Sequence, residues 1–253
     1  MYFKKLEKNL SSPYQNFQWE IEKKVTINNF DESDKKCSTR LYYLKLDQLL
    51  FCPAKPIFEV NIGGQKIEFP DKCRCSEMTI IREVPKDEIL FLIERANLDQ
   101  KLGYKYSEAL YPINPLLVSV PKINEDTIGL LKNWNSVRNS VGNSVCDSVS
   151  DSVRNSIWAS VWASVCDSVW DSVWDSVCDS VGDSACESVC DSVGAYVSSL
   201  FPKIENWIHI EHKKGVNPFQ ACIDLWKSGL VPSYDGTTWR LHGEESKILY
   251  EAK

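Results

Sequence analysis

From residue 134 to residue 197 the chain repeats a four-residue unit sixteen times without interruption, and any fold must accommodate that period. Third positions are Ser in fifteen copies, with Tyr196 the exception, and fourth positions are Val in fourteen, with Ile157 and Ala185 the others. Second positions hold eight Asp, four Asn, three Ala and one Glu. The first column is five Trp, five Cys, three Gly, two Arg and one Ser, a set that no single packing environment selects. Each of those residues is one base change from the Trp codon TGG. A short DNA unit that expanded by slippage and then drifted accounts for the column, which is therefore expected to face solvent for the most part.

Two structures compete for the repeat. In a continuous α-helix a four-residue period advances about 400° per copy, so a Val stripe drifts about 40° each time and no flat partner can bury it. Ser, Asp, Asn and Val are also poor helix formers, and over the whole array the penalty is on the order of 25 kcal/mol relative to Ala. In a flat strand the even period leaves neither face cleanly apolar. A β-solenoid with Val inward, Asp or Asn and Ser at the corners and the first column outward resolves the pattern. The alternative is a helical supercoil, which the adjacent Val and first-column residues permit.

Charge is concentrated in the same stretch. The net charge is −6, while eight Asp, one Glu and two Arg give residues 134–197 a charge of −7 and leave the remainder at about +1. A phosphate-binding surface must be cationic, so direct nucleic-acid binding by the repeat is disfavoured. The N-terminus lacks the apolar core of a signal peptide, and no run of 18 apolar residues occurs, so no membrane segment is expected and the chain reads as cytoplasmic. Five of the ten Cys (Cys146, Cys166, Cys178, Cys186 and Cys190) lie in the first column and are read as free thiols.

The flanks have ordinary globular patterns. Strands are predicted at Lys24–Ile27, Arg40–Leu44, Ile57–Ile62, Lys66–Phe69 and Met78–Ile81, with Gly63-Gly64 as a hairpin signal. Pro85–Arg95 has acids in its first turn and helical apolar spacing. Near the other end, Pro218–Gly229 reads as a short amphipathic helix closed by Gly, and Leu230–His242 as a hairpin turning at Asp235-Gly236. The expected organisation is an α+β domain at 1–123, a connecting helix at 124–133, the array at 134–197 and a C-terminal cap with helix and hairpin at 198–253. Trp226 and Trp239, with Leu225, Leu230 and Val231, are the residues expected to cover the open end of the array. The fold class is thus an α+β domain followed by a tetrapeptide-repeat β-solenoid with a small cap.

Two resemblances accompany this reading. The Asp/Asn-containing repeat looks like a shortened relative of the pentapeptide repeats, whose right-handed quadrilateral β-helix stacks one repeat per side; some of those proteins mimic DNA and bind topoisomerases. The stretches Ser11–Glu20, Cys37–Tyr42, Phe58–Val60 and Cys75–Val84 resemble a domain of unknown function found beside repeat arrays in phage and bacterial proteins, which implies a phage-like origin.

Candidate chemistry is sparse. Cys37, Cys52, Cys73 and Cys75 lack the close second pair of a zinc site, and His209 and His212, flanking Glu211, lack a third ligand, so no metal or cofactor is expected. Arg40, Tyr42 and Glu83 are the residues a degenerate transferase would use, and no catalytic residue is assigned. The candidate binding residues are the acidic column, Asp147, Asp151, Asp167, Asp171, Asp175, Asp179, Asp183 and Asp191. The expected function is a non-enzymatic interaction protein with the repeat as a rigid spacer or binding rod for a protein partner. The alternatives are a DNA-mimic inhibitor of a nucleic-acid-binding protein and an enzyme of unknown reaction in the N-terminal domain. The sequence leaves the oligomeric state open.

Overall fold

The computed structural model describes residues 1–12, 17–30, 41–51, 56–69, 72–120, 122–152, 155–181 and 185–253. The chain divides into two compact units, 1–101 and 102–253.

The first unit is built on an antiparallel sheet. β1 (Tyr2–Lys5) pairs with β4 (Ile57–Glu68), β4 with β5 (Cys73–Glu83), and the far edge of β5 carries both β2 (Lys24–Thr26) and β3 (Leu41–Tyr43). Alternation puts Phe58 and Val60 of β4, and Cys73, Cys75, Met78 and Ile80 of β5, into a core with Leu6, Trp19, Leu41 and Tyr43. The Gly63-Gly64 expectation is corrected: β4 continues through both residues, which sit in a bulge, and the Phe69 N–H donates to the Lys72 carbonyl beyond its end. Gly64 has φ of +64°, and the Ser76 hydroxyl occupies the place its Cβ would need while accepting the Gln65 amide at 2.8 Å. α1 (Lys86–Ala96) follows Pro85, buries Ile89 and Ile93 one turn apart and ends at the left-handed Asn97; α2 (Leu98–Leu102) spans the boundary between the units.

The second unit overturns the solenoid. After α3 (Tyr106–Leu110) and α4 (Glu125–Asn135), the repeat forms α5 (Val141–Ser152), α6 (Asn155–Val165), a π turn (Cys166–Trp170), α7 (Asp171–Val181) and α8 (Cys186–Ser198). There is no coil of stacked strands among the described residues. The objection to helix assumed one continuous helix, and the chain avoids it by using helices of 11 to 13 residues, each about three repeats long. Three repeats drift about 120°, close to the width of an ordinary buried stripe, and there the helix stops or is re-phased. The π turn partly re-phases α6 into α7: its looser winding makes four residues fall short of a full turn and takes back part of the drift.

Most of the described Val column is buried, from Val141, Val145 and Val149 through Val161, Val165, Val169, Val173 and Val177 to Val189, Val193 and Val197, while Val137 and Val181 are half-buried. Among the first-column residues whose burial is described, only Gly142 faces solvent, against expectation. Trp134, Cys178, Cys186 and Gly194 are buried, and Cys146, Trp162, Trp170, Trp174 and Cys190 are half-buried, because the residue following Val lies only about 100° around the helix. Gly194 lets α5 approach α8, since a Cβ there would press on Val141. Cys178 and Cys186, with Cα atoms 5.9 Å apart, are brought side by side between α7 and α8.

The remainder of the unit closes over α8. α9 (Gln220–Lys227) packs against α4 and α8, with Trp226 stacked on Tyr196 at 5.4 Å and its indole N–H donating to the Ile113 carbonyl. A three-stranded antiparallel sheet follows in the order β6 (Val231–Tyr234), β7 (Trp239–His242), β8 (Ile248–Ala252). The β6–β7 turn is held by Asp235, which accepts from the Thr237 and Thr238 amides, with Gly236 at φ of +95°. No described helix is long and apolar enough to cross a membrane.

Candidate functional site

The Ser column does the joining in this unit. Within helices its hydroxyls donate back to carbonyls three residues earlier, as Ser172 does to Val169 and Ser180 to Val177. Where the column meets other elements it replaces backbone partners. Ser148 accepts the Ile208 amide, Ser164 donates to the Ala109 carbonyl, and Ser172 accepts from the Asn114 side chain. Ser188 accepts the Tyr234 amide at 2.8 Å, and Ser192 donates to the Pro232 carbonyl at 3.2 Å, so α8 seals the free edge of β6.

The acidic column does not form one line. Asp147 and Asp151 are exposed on α5, and Asp147 meets the His209 ring at 2.7 Å. Asp167 lies in the π turn, and Asp183 lies outside the described residues. Asp171, Asp175 and Asp179 follow one another at four-residue steps on α7, all exposed, and among the described residues none is paired with a Lys, Arg or His. Asp191 is drawn inward instead. Burial lifts its carboxyl to about 6 against the opposing pull of Arg138, whose guanidinium lies 3.9 Å away. Arg138 in turn lies over the rings of Tyr234 and Trp239, 4.9 and 5.6 Å from their centres, and those two rings are stacked at 4.8 Å.

This cluster has no sequence signature, because its members are spread over about a hundred residues and no local pattern links them. Register places Tyr234 opposite Trp239, Trp239 opposite Ala252 and Leu241 opposite Tyr250, so the aromatic residues share one face of the small sheet. That face and α4 enclose a cleft of about 270 Å³.

The other candidates separate. Tyr42 pairs with Arg74 on β5, and Glu83 lies nine residues further along that strand, about 30 Å away at 3.3 Å per residue; Arg40 lies outside the described residues. Cys37 and Cys52 also lie outside them. Cys73 and Cys75 are buried and donate to the Gln48 side chain and the Leu41 carbonyl. His209 and His212 occupy a loop rather than a helix face, with His212 accepting the Trp207 amide, and the described residues hold no cluster of three metal-ligating side chains.

One pair has the geometry of a nucleophile and base. Ser233 Oγ and His242 Nε2 are 2.7 Å apart, and Nδ1 faces the Ser246 carbonyl at 3.2 Å. Both side chains are completely buried, and desolvation pushes the imidazole below its ordinary pKa, so the pair serves as a neutral structural bridge between β6 and β7. Comparison with protein-family models, curated proteins and solved structures returns no match.

Proposed function

We propose that this chain is a non-enzymatic interaction protein that takes a cationic protein segment along the carboxylates of α7. The observation that carries this reading is the unpaired line Asp171, Asp175 and Asp179. Like charges one turn apart destabilise a helix by about 0.2–0.5 kcal/mol per pair, so the line is retained at a small cost that a cationic partner removes. The contrast with Asp147 and Asp191, which meet cationic or protonatable groups of their own chain, marks α7 as the face left open.

The test is a titration of the full chain with a short oligolysine peptide at low and high salt, beside the triple variant Asp171→Asn, Asp175→Asn, Asp179→Asn. Binding that falls steeply with salt and is lost in the triple variant supports the reading. Equal binding by the triple variant, or none by either protein, overturns it.

A further inference from the structure

The cleft between α4 and the C-terminal sheet has a composition opposite to that of the repeat. One wall is aromatic, from Tyr234, Trp239 and Tyr250, and the opposite wall is the side of α4 that carries Leu131, Lys132 and Asn135. Lys132 and Lys253 stand exposed at its mouth, and among the described residues neither has a carboxylate partner. No acidic side chain lines it. In a chain of net charge −6, the unneutralised Lys132 ammonium beside stacked rings is a local positive centre. The Arg138 guanidinium, held against the Tyr234 and Trp239 rings, fixes the aromatic wall in place.

We infer that this cleft binds a small molecule consisting of a planar aromatic ring joined to an anionic group. A slot between a helix and a flat sheet face favours a flat ligand, and aromatic side chains hold such a ring by stacking. Lys132 takes the charge, and the exposed Asn135 amide offers both a donor and an acceptor for orientation. A sugar would also stack, but it leaves the Lys132 ammonium unanswered. The site is independent of the α7 carboxylates.

Calorimetric titration of the full chain decides the matter with five probes: AMP, benzoate, adenosine, inorganic phosphate and glucose. AMP or benzoate is expected to bind at least about tenfold more tightly than the ring or the anion alone. Binding of AMP but not benzoate makes the ligand a nucleotide, and the reverse makes it an aromatic carboxylate. Lys132→Glu, at an exposed position that preserves the fold, should weaken the bound probe by about tenfold or more, with melting behaviour unchanged. Tyr250→Ala should weaken it comparably, whereas the triple Asn variant of α7 should leave it intact. Failure of both AMP and benzoate to bind, tighter binding of glucose, or binding indifferent to Lys132→Glu overturns the inference.

Discussion

The hydroxyl of Ser188 accepts the backbone amide of Tyr234 at 2.8 Å, and one helical turn later Ser192 answers the carbonyl of Pro232. Residues four apart on a helix rise about 6 Å and residues two apart on a strand about 6.6 Å, so the Ser period of the repeat fits the spacing of outward backbone groups on a strand edge. Pro232 occupies the one kind of sheet position where a missing N–H costs nothing. The repeat therefore acts here as the neighbouring strand that β6 lacks.

Ser188→Ala should leave the half-buried Tyr234 amide without its side-chain partner and cost about 1 kcal/mol in urea denaturation. Ser176→Ala, at an exposed position of α7, should change the midpoint little. Equal effects at the two positions would remove the edge-sealing role.

The helical array predicts a far-ultraviolet circular dichroism spectrum of the isolated array and cap, residues 102–253, with pronounced helical minima. A spectrum dominated by β structure would contradict the arrangement of α5 to α8.

Burial of two columns has its own signature. Val177→Asp should destabilise by about 3–5 kcal/mol or prevent folding, because it buries an unpaired charge. Trp134→Ala, in the first column, should cost about 3–5 kcal/mol as well, since the indole is fully buried. A first column that merely faced solvent would tolerate that change.

His242 should make stability fall in mild acid. Its folded pKa lies below the ordinary value of 6.5 because burial disfavours the imidazolium, so the unfolded chain binds the proton first. The contribution is fully present above about pH 6.5 and is lost as the pH drops through that value towards the folded pKa. Chemical denaturation between pH 5 and 8 should show this slope, and His242→Gln should flatten it.

Asp191 acts in the opposite sense. Its carboxyl is raised to about 6 by burial, so its contribution is present below the ordinary carboxylate range, near 4, and is lost as the pH rises through about 6. Asp191→Asn should match the parent at pH 4 and exceed it at pH 8 by on the order of 1–3 kcal/mol. The reverse order at pH 8 would mean that Arg138 contributes more than desolvation removes.

Elements fixed by neighbours in sequence were legible: the strands β2 and β3, the helices α1, α4 and α9, and the hairpin at Asp235-Gly236. Gly63-Gly64 was misread because a positive-φ glycine serves a bulge as readily as a turn, and only the cross-strand Ser76 hydroxyl distinguishes them. The array was misread for a sharper reason. Its helix penalty was summed over one rigid rod, whereas burial of a Val every turn, repeated in short re-phased pieces, outweighs poor propensity. Exposure of Asp171, Asp175 and Asp179 follows from their column, but the inward turn of Asp191 depends on Arg138, Tyr234 and Trp239, which meet only after folding.

The breaks that re-phase the helices also govern how such an array can be inherited. A single four-residue unit inserted within α7 would turn everything after it by about 40° and advance it by about 6 Å. That displacement would draw Ser188 away from Tyr234 and Arg138 away from the ring pair it covers. An array of this period is thereby intolerant of one added copy: its length is held by partners outside the repeat, while its first column is free to vary where the helices leave it half-covered.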